Sequence, residues 1–184
     1  MIDVLPGAAR LVVGVSGSPA SLHALRYARL AAASSGAQIA AVHAWVPPGG
    51  DLAERRCPSA ALRRAWAAAA GTRLTDAIDA AWGGLPPDLD VELVIIRAEP
   101  GPALVQVADS ARDLLVVGAG QRGALRRMWR GKVSRYCLAH AQCPVLALPQ
   151  PATPREMGIG RGGWLLHRRE LTLDQALRDW GTAA

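Results

Sequence analysis

Short apolar runs alternating with longer stretches of helical period leave this chain few architectures. Residues 10–15, Arg-Leu-Val-Val-Gly-Val, form a continuous apolar run of strand length; Ser-Gly-Ser-Pro follows, then an alanine-rich stretch to about Ser35. This reads as strand, short loop and helix. Residues 38–45 form a second buried strand, and 59–82 a second helix after a connection holding Pro47, Pro48, Gly49 and Gly50. Residues 91–96 supply the third strand, 102–112 the third helix, 114–118 the fourth strand and 131–140 the fourth helix. The last strand is expected at 144–148, where Pro144 sets Cys143 extended. Strands and helices in this order predict an α/β fold: a five-stranded parallel sheet with crossover helices on both faces.

Local chemistry supports the first unit. Ser18 is placed to accept a backbone N–H as N-cap, Pro19 suits the first helical position, and Gly36 suits the end of the helix. Leu22, Leu25, Ala28 and Ala32 recur at helical spacing and give a narrow apolar stripe for the sheet. One domain is expected over 8–149. Residues 150–184 are read as a linker and tail, in which Thr172 and Gln175 form a capping-box pair ahead of an amphipathic face of Leu173, Leu177 and Trp180.

Composition narrows the class. At 184 residues and 51% hydrophobic, the chain suits one buried core and not a disordered segment. No apolar run reaches the roughly 18–20 residues needed to cross a bilayer, and MIDVLPGAAR lacks the features of a signal peptide, so a cytoplasmic protein away from membranes is expected. Cys57, Cys137 and Cys143 contain no CxxC pair, which argues against a disulfide framework and a zinc site; no metal site is expected. The net charge of +6 is almost entirely arginine, with Lys132 the only lysine, and decides little by itself.

In an open parallel sheet, ligands bind outside the carboxyl ends of the strands. The loops there read Gly14-Val15-Ser16-Gly17-Ser18, His43-Ala44-Trp45 and Gly118-Ala119-Gly120-Gln121, the last running on to Gly131-Lys132-Val133-Ser134 at a helix start. Glycines, backbone N–H groups and a helix N-terminus together favour an anion.

The blocks VVGVSGSPASLHALRYA and LLVVGAGQRGALRRMWRGKVSRYCLAHAQCPVLALP, in that order and spacing, resemble the two signatures of the universal stress protein family over nearly all of residues 8–149. The resemblance implies an adenine-nucleotide α-hydrolase-like, Rossmann-like fold, a homodimer through strand 144–148, and a stress-response binding protein that is not an enzyme. One branch of the family binds ATP and another does not. The ATP-binding branch is marked by glycine, two residues, glycine, nine residues, then glycine with Ser or Thr. Gly118 and Gly131 match the first and last glycines, with the length between them preserved. The nucleotide positions implied are Val15, Ser16, Ala44, Val117, Gly118, Gln121, Gly131, Lys132, Val133 and Ser134. Ala44 falls where backbone contacts to adenine are expected, and Ser134 where phosphate is often contacted.

Three of these positions depart from the pattern. Ser16 replaces the usual acidic residue, Gln121 the second glycine, and Lys132 the hydroxyl residue. Gln121 obstructs a close backbone approach to phosphate, whereas Lys132 sets an ammonium beside the helix N-terminus. ATP binding, binding of another anionic ligand, and an empty structural loop all stand at this point. The expected function is weakened or altered nucleotide binding; the alternatives are a true ATP-binding member with slow or no hydrolysis, and nucleic-acid binding.

The last alternative rests on Arg122, Arg126, Arg127, Arg130, Lys132 and Arg135, a cluster better read as a solvated loop and helix face. Trp129 within it is better read as packing inward than as stacking on a base. Gly158, Gly160 and Gly163 match G-x-G-x-x-G without a preceding strand, and no P-loop is present. His43 is read as structural. Ser16, Ser18 and His43 could meet in one crevice, but no G-x-S-x-G elbow supports a nucleophile.

Overall fold

The computed structural model describes residues 8–56, 58–119 and 132–150. Its strands are β1 (Arg10–Gly14), β2 (Gln38–Trp45), β3 (Val91–Arg97), β4 (Asp113–Ala119) and β5 (Val145–Pro149). They form one sheet in the order β3-β2-β1-β4-β5, and every neighbouring pair is parallel. The helices are α1 (Pro19–Ser35), α2 (Gly50–Arg56), α3 (Ala60–Trp82), α4 (Pro100–Val107) and α5 (Lys132–His140). The expected five-stranded parallel sheet with helices on both faces is therefore what the chain forms.

The strands alternate within their apolar runs. Leu11, Val13, Ile39, Ala41, Leu114 and Val116 pack with Ala24, Leu25 and Ala28 of α1 and Leu74 and Ile78 of α3. Val12, Ala40, Val42, Leu115 and Val117 face the other way, toward Leu104 of α4 and Cys137 of α5. Because side chains alternate across a strand, an unbroken run of Val, Leu and Ala serves both layers.

Helix ends follow local chemistry. Ser18 caps α1, its Oγ accepting the Ser21 N–H at 3.3 Å, with Pro19 in the first turn. Gly36, at φ 71°, ends the helix and donates its N–H to Ala32 O at 2.8 Å. Ser59 and Gly83 do the same for α3. Arg26 and Arg29 of α1 donate to the carbonyls of Ala80 and Trp82, each at 3.1 Å, and so cover unpaired acceptors at the end of α3. The buried Trp82 Nε1–H donates to Leu25 O at 2.9 Å.

Three elements differ from expectation in ways that local chemistry explains. Helix α2 forms inside the connection between the second strand and the second expected helix, anchored by the buried carboxylate of Glu54. Helix α4 begins at Pro100, not 102, and ends at Val107, not 112. Its early end comes from Asp113, which is 3% exposed and accepts the Ser110 N–H at 3.1 Å and the Arg10 guanidinium at 2.8 and 3.1 Å. Those bonds hold 109–112 in a turn, closed by Asp113 N–H to Ser110 O at 2.9 Å. Strand β5 starts one residue late because Pro144 has no N–H; its carbonyl still accepts the Leu115 N–H at 2.9 Å.

The chain divides into Met1–Pro151 and Ala152–Ala184. The linker and tail beyond Gln150, with the glycine motif and the capping-box pair, lie outside the described residues. No helix among the described residues is long and apolar enough to cross a membrane.

Candidate functional site

Strand order locates the site. The chain runs outward from β1 to β2 and β3, then crosses back to β4 and β5, so the topological switch point lies between β1 and β4. A crevice of about 610 Å³ opens there at the carboxyl ends of the strands, within the size range of small-molecule sites. The loop after β1, the end of β4, Ala44 of β2, Pro100 and Leu104 of α4, and Val133 of α5 line it.

The first loop is held from both sides. The Val15 N–H donates to Val42 O at 2.8 Å, and the Val15 carbonyl lies 2.8 Å from His43 Nδ1. Since a carbonyl only accepts, Nδ1 carries the proton. In a parallel strand both main-chain groups of a residue turn toward the same neighbour, and the side alternates with each residue. Val42 turns toward β1, so Ala44 does too, but β1 has ended at Gly14. The N–H and C=O of Ala44 therefore face the crevice.

Three serines build its wall at the start of α1. Ser16 Oγ lies 3.0 Å from Ser18 Oγ and 3.3 Å from Ser21 Oγ, and Ser21 Oγ accepts the Ser16 N–H at 3.2 Å and donates to Ser18 O at 2.9 Å. Ser21 is buried, while Ser16 and Ser18 are exposed toward the opening. Gly118 closes the other side, where its lack of a side chain lets β4 touch the first turn of α1.

The structure gathers Val15, Ser16, Ala44, Val117, Gly118 and Val133 of the expected positions around this crevice. Ser134 is buried one residue beyond Val133 and does not line it; Lys132 begins α5. Gln121 and Gly131 lie outside the described residues, as do Arg122, Arg126, Trp129 and Arg130. Ser16 and Ser18 meet, but His43 does not join them: it shares the parity of Ile39 and Ala41, which face α1 and α3, and is 7% exposed with Nε2 unpartnered. Sequence reasoning missed Ser21, Pro100, Leu104 and Gln150. Only Ser21 left a signal, as a polar residue three positions after an N-cap.

No ionised side chain belongs to the described lining. What the crevice offers is hydroxyls, the Gln150 amide, main-chain groups and apolar surface, an arrangement suited to a flat, hydrogen-bonding ring. Among the described residues no group of His, Cys, Asp or Glu could hold a metal ion. Behind the site, burial pushes the Cys137 thiol up to about 11 and raises that of Cys143, so both are inert as nucleophiles.

The model of the Universal stress protein family matches residues 8–149. A universal stress protein of Mycobacterium tuberculosis is 33% identical over 159 residues, covering 81% of this chain and 47% of that protein. The chain thus spans about half the length of the curated relatives it matches. Among solved structures, a universal stress protein in complex with cAMP aligns with a TM-score of 0.51 at 26% identity, covering 79% of this chain and 99% of that one. The universal stress protein UspA from Lactobacillus plantarum aligns with a TM-score of 0.54 at 23% identity, over 77% and 97% of the two chains, a likeness of fold.

Proposed function

The chain belongs to the universal stress protein family, and on that premise we propose that its crevice binds one adenine nucleotide and that the protein acts by this binding, without turnover, as a regulator in stress response. The observation that carries the reading is a crevice whose described lining holds no ionised side chain, beside a main-chain N–H and C=O of Ala44 left unpaired by the end of β1. Adenine presents an acceptor nitrogen beside an amino donor, which one peptide strand edge can pair, and Val42, Leu104 and Val117 offer the ring an apolar bed. The relative in complex with cAMP supports the ligand class.

In this reading Ser16 reaches the ribose with a hydroxyl where the family carries an acid, and so holds it less firmly. The phosphate end lies toward the start of α5. Gln121, where the family motif has its second glycine, and Lys132, where the motif has a hydroxyl residue, are the two departures expected to alter phosphate binding. Binding is accordingly weaker or differently tuned for the triphosphate than in the ATP-binding branch. Calorimetric titration with AMP, cAMP and ATP tests this, together with mass spectrometry of nucleotide carried through purification. Reverting Gln121→Gly and Lys132→Ser together should raise ATP affinity.

The same proposal places the protein in the cytoplasm as a homodimer. Strand β5 is a sheet edge with half-buried Leu146 and Leu148, and pairing with a second copy would cover it. Light scattering on purified protein should give twice the chain mass.

A further inference from the structure

A second cavity, of about 460 Å³, lies at the carboxyl ends of β2 and β3, lined by residues of α2 and the first turn of α3. One buried carboxylate organises it. Glu54 of α2 is 8% exposed, and both its oxygens meet the Arg97 guanidinium, Oε1 at 3.5 Å from Nη1 and Oε2 in close contact with Nη2. Arg63 Nε lies 3.5 Å from the same Oε1. Arg97 is fixed further by Trp45, whose ring centroid is 5.9 Å from its guanidinium carbon.

Two guanidinium groups thus share one carboxylate. Arg55 and Glu99 also line the cavity, so its described lining carries three guanidinium groups against two carboxylates, an excess of one positive charge. The remaining wall is apolar, with Val46, Pro47 and Pro58. Arg63 approaches Glu54 with Nε at 3.5 Å and its side chain is 49% exposed, so the guanidinium keeps an open face on which an oxyanion can sit in the forked geometry that guanidinium favours.

We propose that this cavity binds a small organic monocarboxylate, with its carboxylate on Arg63 and its apolar stem against Val46, Pro47 and Pro58. Glu99 at the same cavity repels a second negative charge and so selects against phosphate dianions. This site is separate from the nucleotide crevice and does not depend on it.

The test is titration of the full chain, followed by nitrogen–proton NMR, with hexanoate and separately with inorganic phosphate. Hexanoate should give saturable shifts that include the Trp45 indole, and phosphate should not. Arg63→Met, which keeps the stem and removes the charge, should weaken hexanoate binding by roughly tenfold or more. Val46→Asp, which cancels the excess charge at another point of the wall, should do the same. The chemical-shift dispersion of the same spectra shows whether the fold is intact, and titration with AMP reads the crevice separately. Absence of saturable hexanoate shifts up to about 20 mM, equal binding of phosphate, or unchanged affinity in both variants would each overturn the proposal. AMP binding lost while hexanoate binding holds would sink the nucleotide reading alone.

Discussion

A methyl group added at Gly118 would lie 2.8 Å from the backbone carbonyl carbon of Ala20 and 2.9 Å from the Ser21 nitrogen. The end of β4 is therefore in direct contact with the backbone of α1's first turn, and the two together form one wall of the crevice. Backbone cannot swing aside as a side chain can. Gly118→Ala should destabilise the domain by about 1–3 kcal/mol through overpacking, read as a fall in the denaturant midpoint. An unchanged midpoint would mean that β4 and α1 separate freely.

Asp113 and Arg10 make the second test. The buried carboxylate takes two guanidinium bonds and one backbone N–H, and its hydrogen bonds to Arg10 are the main cause of that residue's raised pKa. Asp113→Ala leaves Arg10 on the carbonyl of Val107 and the exposed Asp109, with Glu92 acting only at longer range. The expected loss is about 2–4 kcal/mol, for a partly buried pair with one partner removed, measured by urea unfolding at neutral pH. A loss under about 1 kcal/mol would class it with exposed pairs.

These two positions also show how far the sequence could be read. Gly118 was visible as a motif glycine, but its steric reason was not, because the neighbour it touches is almost a hundred residues away. Apolar runs, Ser18, Pro19 and Gly36 made the strands and helix α1 legible from local physics, whereas the β3-β2-β1-β4-β5 order of the sheet was not. Asp113 was missed as a helix stop, since its partner Arg10 lies on β1 and only the sheet brings them together. Val15, Ala44 and Gly118 were legible as crevice residues because their loops follow strand ends in an open sheet; Leu104 and Pro100 reach the crevice from α4 with no sequence signal.

Cys137 contributes to the alkaline behaviour, alongside Cys143 and Tyr27, whose pKa values burial also raises. The Cys137 thiol is wholly buried and held up to about 11, against an ordinary value of 9.0. A raised folded-state pKa contributes stability that is present in full below pH 9 and is lost as pH rises toward 11; two units correspond to about 2–3 kcal/mol. Cys137→Ala should flatten the stability profile over that window, followed by thermal unfolding at pH 8, 9, 10 and 11. A profile with the same slope would assign the loss to other groups.

Ala44 tests the crevice without touching the core. Ala44 lines the crevice and is half buried, so Ala44→Leu adds three carbons at the edge of the space proposed for the base. Nucleotide affinity should fall by at least about tenfold while the unfolding midpoint moves little. Ser16→Asp, which restores the family's acid beside the ribose, should move affinity the other way.

The most direct test is calorimetric titration of the purified wild-type chain with AMP. The account predicts a single saturable site per chain at micromolar to sub-millimolar strength, lost in Ala44→Leu. No saturable heat up to several millimolar, with the fold confirmed intact, would contradict nucleotide binding at the crevice between β1 and β4.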